Sequence, residues 1–341
     1  MTPYDHIIAL VKHQTQTLPL MPITMMFAAG HAGIAYRDYV TDYRKLVAAQ
    51  IFTAEKFHFD YVSVISDPAR EAADLGAIVR FFDDHPPAID EENALLSDKE
   101  KLKHLTIADP LRPGSRMFDR VQAAKLFAEK VKGKLLIEGW VEGPCAESSD
   151  LRGINRFMMD FIDDPDFVKN CFEFVTENAI QFAAAQVNAG ADIIGIGDAA
   201  ASLISPKLYE AFVLPYEQRL IQKIHEAGGM VRLHICGNTT RITQLMSKTG
   251  ADLIDLDSMV DIKKARASMG ANQVITGNID PVRVLLNGTP ELVKEKLKEC
   301  REAAETNYVA AAGCEIPIGT PDENVMAMSE FVKGFRTDLQ M

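Results

Sequence analysis

Eight short apolar runs, rich in Ile, Val and Leu and separated by longer amphipathic stretches, limit what this chain can fold into more than any other feature. They are ITMMF from Ile23, DYVSVI from Asp60, KLLIEGW from Lys134, DIIGIG from Asp192, MVRLHI from Met230, ADLIDLD from Ala251, QVITG from Gln273 and NYVAAAG from Asn307. Nearly continuous apolar runs of this length are the pattern of parallel strands covered on both faces, and parallel neighbours need a crossover, usually a helix. The intervening stretches carry helix-start signals. Ser205-Pro206 and Thr320-Pro321 each place a hydroxyl cap before a proline at the first helical position, and the second adds Glu323 at the third.

Eight alternations in 341 residues predict an α/β fold, a (β/α)8 TIM barrel forming one domain over 1–341. An inserted segment lies between the second and third strands, roughly Pro68 to Gly133. A doubly wound open sheet is the structural alternative, but the chain has no G-x-G-x-x-G and no P-loop. With 47% hydrophobic and 25% charged residues, long disorder, collagen-like structure and a disulfide scaffold are excluded.

The net charge of −12 would repel a polyanion, so no nucleic-acid partner is expected. The longest stretch free of Asp, Glu, Lys and Arg, His13 to Tyr36, contains Pro19 and Pro22 and has no basic cluster before it. It reads as neither a signal peptide nor a membrane span. Five scattered cysteines, an odd number, suit a reduced, cytoplasmic protein.

Active sites of this barrel sit at the carboxyl ends of the strands. Those ends carry His31, Asp67, Glu142, Asp198, then His234, Cys236, Gly237 and Asn238, then Asp257, Asn278, Asp280, Cys314 and Glu315. His234 and Cys236, two apart on a strand, point to the same side. Cys314 lies 78 residues further on, too far for a zinc finger but suited to a site that barrel closure assembles. Two thiolates and an imidazole select zinc among the common metals and leave a fourth position for chemistry, which Asp257 could fill when no substrate does. The competing reading is three unrelated residues, since H-x-C arises by chance and cysteine is often simply buried. Cys171 and Cys300 fall within expected helices and read as packing; Cys145 stands near a strand end.

The segments VSVISDPAREAADLGA from Val62, IGDAAASLISPKLYEAFVLPY ending at Tyr216, GNIDP from Gly277 and AGCEIPIGTPDENV ending at Val325 resemble the uroporphyrinogen decarboxylase superfamily, collinearly from about Pro22 to Phe335. Two branches of that superfamily differ where it matters. The decarboxylases have an arginine-rich segment after the first strand and a histidine after the last. Here the corresponding positions read MPITMMFAAGHAGIAY, with no arginine before Arg37, and Cys314. LHICGN and AGCEIP instead resemble the cobalamin-dependent methyltransferases similar to the methylcobalamin:coenzyme M enzymes, in which H-x-C and a late cysteine form a zinc site. The resemblance implies zinc held by His234, Cys236 and Cys314, with Asp257 as a further ligand.

It also implies a methyl group moving between a corrinoid and a small substrate, with a thiol acceptor activated as thiolate. The chain lacks the corrinoid-module motif D-x-H-x-x-G, so the methylcobalamin is expected on a partner corrinoid protein. The reverse sense, demethylating a methoxylated or methylated donor onto Co(I), is equally drawable. The superfamily resemblance also admits a porphyrinogen decarboxylase or a non-catalytic tetrapyrrole-binding barrel. Asp198, His31, Asp67 and Asn278 are candidate substrate contacts. Three of them have a structural role to set against that: a capping carboxylate for Asp198, a satisfied loop histidine for His31, a turn shared with the decarboxylases for Asn278. Barrels often associate, so a homo-oligomer is among the expectations.

Overall fold

The computed structural model describes residues 2–14 and 17–335. Its strands are β1 (Tyr61–Ser63), β2 (Val79–Arg80), β3 (Ala88–Ile89), β4 (Leu136–Glu142), β5 (Ile193–Gly197), β6 (Met230–Ile235), β7 (Leu253–Leu256), β8 (Val274–Ile279) and β9 (Tyr308–Ala312). Seven of them form one parallel sheet in the order β1-β4-β5-β6-β7-β8-β9, and β2 pairs with β3 in a small antiparallel hairpin. Helices follow the sheet strands and cover its outer face, so the sheet curls into a TIM-barrel-like fold.

The apolar run at Ile23, expected to be the first strand, is not one. The chain nevertheless closes the barrel there. On one side the Ala310 N–H donates to Pro19 O (2.8 Å) and the Met21 N–H to Ala310 O (2.9 Å); on the other the Asp60 N–H donates to Leu20 O (3.0 Å). Leu20 N–H reaches the Asp60 side chain at 2.6 Å, and the Tyr61 hydroxyl donates to Pro22 O at 2.6 Å. Pro19 and Pro22 have no N–H to give, so a regular ladder cannot form and only a single bridge, Leu20 to Ala310, survives. The eighth stave is thus present as backbone but shifted a few residues ahead of the expected run.

Strand parity decides which side chains enter the barrel. Arg232 on β6 reaches Glu138 on β4 at 3.3 Å although β5 lies between their strands, so both point inward. Counting by twos along the same strands brings Trp140 and Glu142, then His234, to the inner face above them. Trp140, the single tryptophan, finds room because β5 reads I-I-G-I-G. A Cβ on Gly195 would lie 2.1 Å from the indole, and one on Gly197 would lie 3.1 Å from its Nε1. The two glycines therefore let the ring lie across β5, where it floors the upper part of the barrel.

The inserted segment holds the short helix Arg70–Leu75, the β2–β3 hairpin, a 3-10 turn at Lys99–His104 and the helix Arg116–Val131, capped by Ser115. Ser205 caps as expected, accepting the Leu208 N–H, with Pro206 first in the helix. That helix widens into a π turn over Tyr209–Val213 before Leu214–Glu226, next to Pro215, which cannot supply an N–H. Thr320 does not cap: its hydroxyl donates to Pro317 O at 2.8 Å, and the last helix begins at Asp322 behind Pro321. Among the described residues no helix is long and apolar enough to cross a membrane.

Candidate functional site

His234 is the penultimate residue of β6 and Cys236 follows the strand, both on the inner side of the barrel mouth. The turn after them needs Gly237, whose φ of +87° favours glycine. Cys314 leaves β9 two residues beyond its last residue, Ala312. His234 Nε2 lies 2.9 Å from Cys236 Sγ, which lies 3.9 Å from Cys314 Sγ. All three donor atoms fall within 4.8 Å of one another, and among the described residues no other group of His, Cys, Asp and Glu converges in this way. The three residues expected from the sequence to form one site are brought together.

Support for the imidazole comes from two residues that no strand-end position marks. His234 Nδ1 lies 3.2 Å from Asp255 Oδ2 on β7, an ionic contact rather than an aligned hydrogen bond, with Nε2 turned toward the thiols. Arg232, one inward position below, holds the same oxygen through Nε (3.0 Å) and Nη2 (2.5 Å). Register explains the geometry, since His234 pairs with Asp255 across β6 and β7. The same period-two argument that paired His234 with Cys236 could have found Asp255, two residues before Asp257.

Burial disfavours a charged imidazole, yet Cys236 and Asp255 outweigh it and hold the His234 proton affinity well above its ordinary value. The hydrogen bond from Cys236, against burial and aided by His234, draws Cys314 down to about 4. That bond and burial push Cys236 well up. A sulfur, sulfur, nitrogen set with a carboxylate-oriented histidine fits zinc in both donor chemistry and outer support. Asp257 stands outside this cluster: its Oδ2 accepts the Gly237 N–H and its Oδ1 the Met259 N–H, each at 2.9 Å. It shapes the turn that presents Cys236.

A cavity of about 190 Å³ opens beside the trio. Ile23, Met25, Ile65, Pro68 and Trp140 give it apolar walls, and Asp67, Glu142 and Glu315 are its acidic members. Asp67, an expected substrate contact, does line it. Burial would raise the Asp67 carboxyl, but Arg116, paired through both terminal nitrogens at 2.8 and 2.6 Å, and Arg70 hold it at about 2. Glu315 accepts the N–H groups of Met25 (3.0 Å) and Met26 (2.6 Å), while burial pushes its carboxyl up to about 7. Arg70 and Arg116 come from the inserted segment and carried no strand-end signal.

The remaining three expected contacts lie elsewhere. Asp198 is fully buried behind the strand ends, accepting the Ala146 N–H at 2.6 Å and neighbouring Glu217; burial lifts it to about 7. Its backbone N–H donates to His234 O at 2.9 Å, so it braces the ligand strand. His31 contacts Phe27 and Phe57 and pairs with Asp322 at 2.6 Å. Asn278 donates to Asp257 O (2.9 Å) and Val260 O (2.7 Å), tying two loops together. Cys145 and Cys171 are buried away from the trio, and Cys300 contacts Asn278 Oδ1 at 3.6 Å.

Comparison with known proteins matches residues 3–335 to the family described as uroporphyrinogen decarboxylase (URO-D). The chain is 33% identical to the methylcobamide:CoM methyltransferase MtbA of Methanosarcina mazei over 282 residues, 82% of this chain and 80% of that protein. It is 30% identical to the protein of the same name from Methanosarcina acetivorans over 338 residues, 98% of this chain and 95% of the other. A solved methyltransferase structure from Methanosarcina mazei has a TM-score of 0.89, covering 98% of this chain and 99% of that one at 23% identity, a likeness of fold.

Proposed function

The chain belongs to the uroporphyrinogen decarboxylase family, beside its methylcobamide:CoM methyltransferases, and from this premise we propose that it is a zinc-dependent methyltransferase. It moves a methyl group from a corrinoid on a partner protein to a small thiol in the barrel mouth. The observation that carries this reading is the convergence of His234, Cys236 and Cys314 beside a small apolar cavity. A porphyrinogen is far larger than that cavity: even drug-sized ligands fill about 300–1,000 Å³. The size argues against a decarboxylase.

His234, Cys236 and Cys314 would hold the zinc, and the bound ion would supply a Lewis acid that keeps a thiol as thiolate near neutral pH. The chain's own residues do the positioning. Asp255, held by Arg232, keeps His234 Nε2 facing the two sulfurs. Asp257 and Gly237 set the turn that presents Cys236, and Glu315, anchored on the Met25 and Met26 N–H groups, fixes the chain beside Cys314. Ile23, Ile65 and Trp140 keep water from the reacting atoms. The acceptor sulfur attacks the methyl carbon; the S–C bond forms as the Co–C bond breaks, and the electron pair stays with the corrinoid.

A corrin face needs a broad, partly apolar landing surface. Leu203, Met259, Val282 and Ile318, each about half exposed or more, lie in the loops that follow β5, β7, β8 and β9. All four stand at the carboxyl end of the barrel, the side from which a corrin would approach.

Methylcobalamin mixed with metal-analysed protein and a panel of thiols tests the function directly. The expected result is about one zinc per chain and thiol-dependent loss of the methylcobalamin spectrum, both abolished in Cys236→Ser. Zinc-replete protein that demethylates with no thiol would overturn the acceptor reading. Protein that neither carries nor takes up zinc would overturn the metal.

A further inference from the structure

The cavity's charges, rather than its metal ligands, carry information about the substrate. Asp67, Glu142 and Glu315 line it, while none of the described residues lining it is lysine or arginine. The cations nearby are spent behind the wall. Arg116 grips Asp67 with both terminal nitrogens. Arg70, fully buried, donates from Nη2 to Glu142 Oε1 at 2.8 Å and from Nη1 to the Asp67 carbonyl. Two cysteine thiolates would offset both charges of a divalent zinc, so the metal corner adds no net attraction for an anion.

Positive charge is also short in the layer behind Glu142. Glu71, Glu147 and Asp150 crowd around it; burial and these neighbours push the Glu142, Glu147 and Asp150 carboxyls well up, and Arg70 is the cation that opposes the rise in all of them. Glu147 is 2% exposed, yet neither carboxylate oxygen has a hydrogen-bond partner. Buried carboxylates in this excess are stabilised by any cation that enters.

Register places the opening. Glu142 pairs with Gly197 and Gly197 with His234, so a glycine stands between the carboxylate and the imidazole at one level of the barrel. Neighbouring strands are about 4.8 Å apart, which puts Glu142 and His234 roughly 10 Å apart at their backbones. Both side chains reach inward beside Gly197, which lines the cavity together with them. Trp140 Nε1 and Glu142 Oε2 already pack over the glycine, 3.1 and 3.2 Å from where a Cβ would sit, so the ligand's space is the cavity in front of them. A thiol at the metal corner with a polar group two or three carbons away spans such a gap.

Resting on the methyl-transfer reading above, we infer that the substrate is a small thiol carrying a protonated amine, with Glu142 as its counterion and Trp140 at its back, and that an anionic sulfonate thiol is disfavoured. Glu142 and Gly197 are then the specificity-determining positions. The cavity of about 190 Å³ suits a molecule of only a few heavy atoms.

Calorimetric titration of the zinc-replete protein with size-matched pairs tests this without turnover. One pair is cysteamine against 2-mercaptoethanesulfonate; the other, lacking sulfur nucleophiles, is propylammonium against propanesulfonate. The cation should bind at least tenfold more tightly than the anion in both pairs. Glu142→Gln, which keeps the size and the acceptor for Arg70, should shrink that ratio to within about twofold. Gly197→Ala, whose methyl would press on Trp140 and Glu142, should weaken both cations without reversing the preference. Cation preference in the second pair with no added affinity from a thiol would sink the thiol acceptor but keep the charge assignment. Equal or tighter binding of the sulfonates, or no binding by any of the four, would overturn the assignment.

Discussion

Two corners of the same barrel mouth are built on opposite principles. The metal corner uses three soft donors backed by a single line of support, His234 to Asp255 to Arg232. The carboxylate wall uses hard oxygens in excess: Asp67 and Glu142 face the cavity, and Arg116 and Arg70 stand behind them. One corner gathers soft donors that a cation would bind directly. The other gathers more buried carboxyls than cations, and burial with their mutual repulsion pushes Glu142, Glu147 and Asp150 well up, so a cation that enters can stabilise their charged form without touching the metal. Burial costs both corners stability, and each retains polar groups where a well-packed apolar core would be easier to keep folded.

The sharpest way to break this comparison is to disable the corners separately. Cys314→Ser should lose more than about 100-fold in zinc affinity, beyond the range typical of outer-support changes, and should leave the cation preference of metal-free protein intact. Glu142→Gln should retain one zinc per chain. Competition with a chromophoric chelator reads both, and loss of zinc in Glu142→Gln would show that the corners are one unit.

Asp255→Asn comes next. It removes the charge that orients His234 and should weaken zinc about 10–100-fold while the barrel still folds. The same chelator competition measures it, and an unchanged affinity would reduce Asp255 to a partner of Arg232 alone. Folding should be checked by circular dichroism, because Arg232 would keep only Glu138 as a full ionic partner.

The smallest expected effect lies in the wall and depends on pH. Asp67 has a folded-state value of about 2 against 3.8 in its unperturbed state. Its pairing therefore adds stability that is fully present above about pH 4 and is lost as the pH falls toward 2. A depression of this size corresponds to about 2 kcal/mol. Urea unfolding of wild type and Asp67→Asn at pH 7 and stepwise down to the acid limit should show the gap between them closing with acid. A gap that stays constant would mean that Asp67 acts through packing.

The metal corner was legible in the sequence because a strand's period of two turns H-x-C into a shared direction, and barrel closure brings Cys314 back beside β6. The wall was legible only in part: Asp67, Glu142 and Glu315 stood out as strand-end residues, but nothing marked the cations and carboxyls behind them. Asp67, Arg70, Arg116, Glu142 and Glu147 are spread over 80 residues and belong to two strand ends, a short helix and the inserted segment, so no local pattern joins them. Asp198, His31 and Asn278 shared the strand-end positions of real cavity residues, yet their side chains turn to neighbouring loops and helices. The expected strand at Ile23 failed because prolines interrupt the ladder, and the expected cap at Thr320 failed because its hydroxyl turns back to Pro317 O. Prolines withhold N–H groups, and what the backbone then bonds to depends on segments far away in the chain.

Apolar periodicity, hydroxyl-proline helix starts and the H-x-C spacing are local properties, and from them the sequence by itself determined the α/β alternation, the barrel and the direction in which His234 and Cys236 point. Only the tertiary structure decided that Pro19 to Thr24 would close the sheet as an irregular stave, that Trp140 would lie over Gly195 and Gly197, and which carboxylates would face the cavity with their cations behind them. The physical reason is range. Backbone periodicity acts over a few residues, whereas the pairing of buried charges is settled by whichever side chains strand register and helix docking bring within a few ångströms.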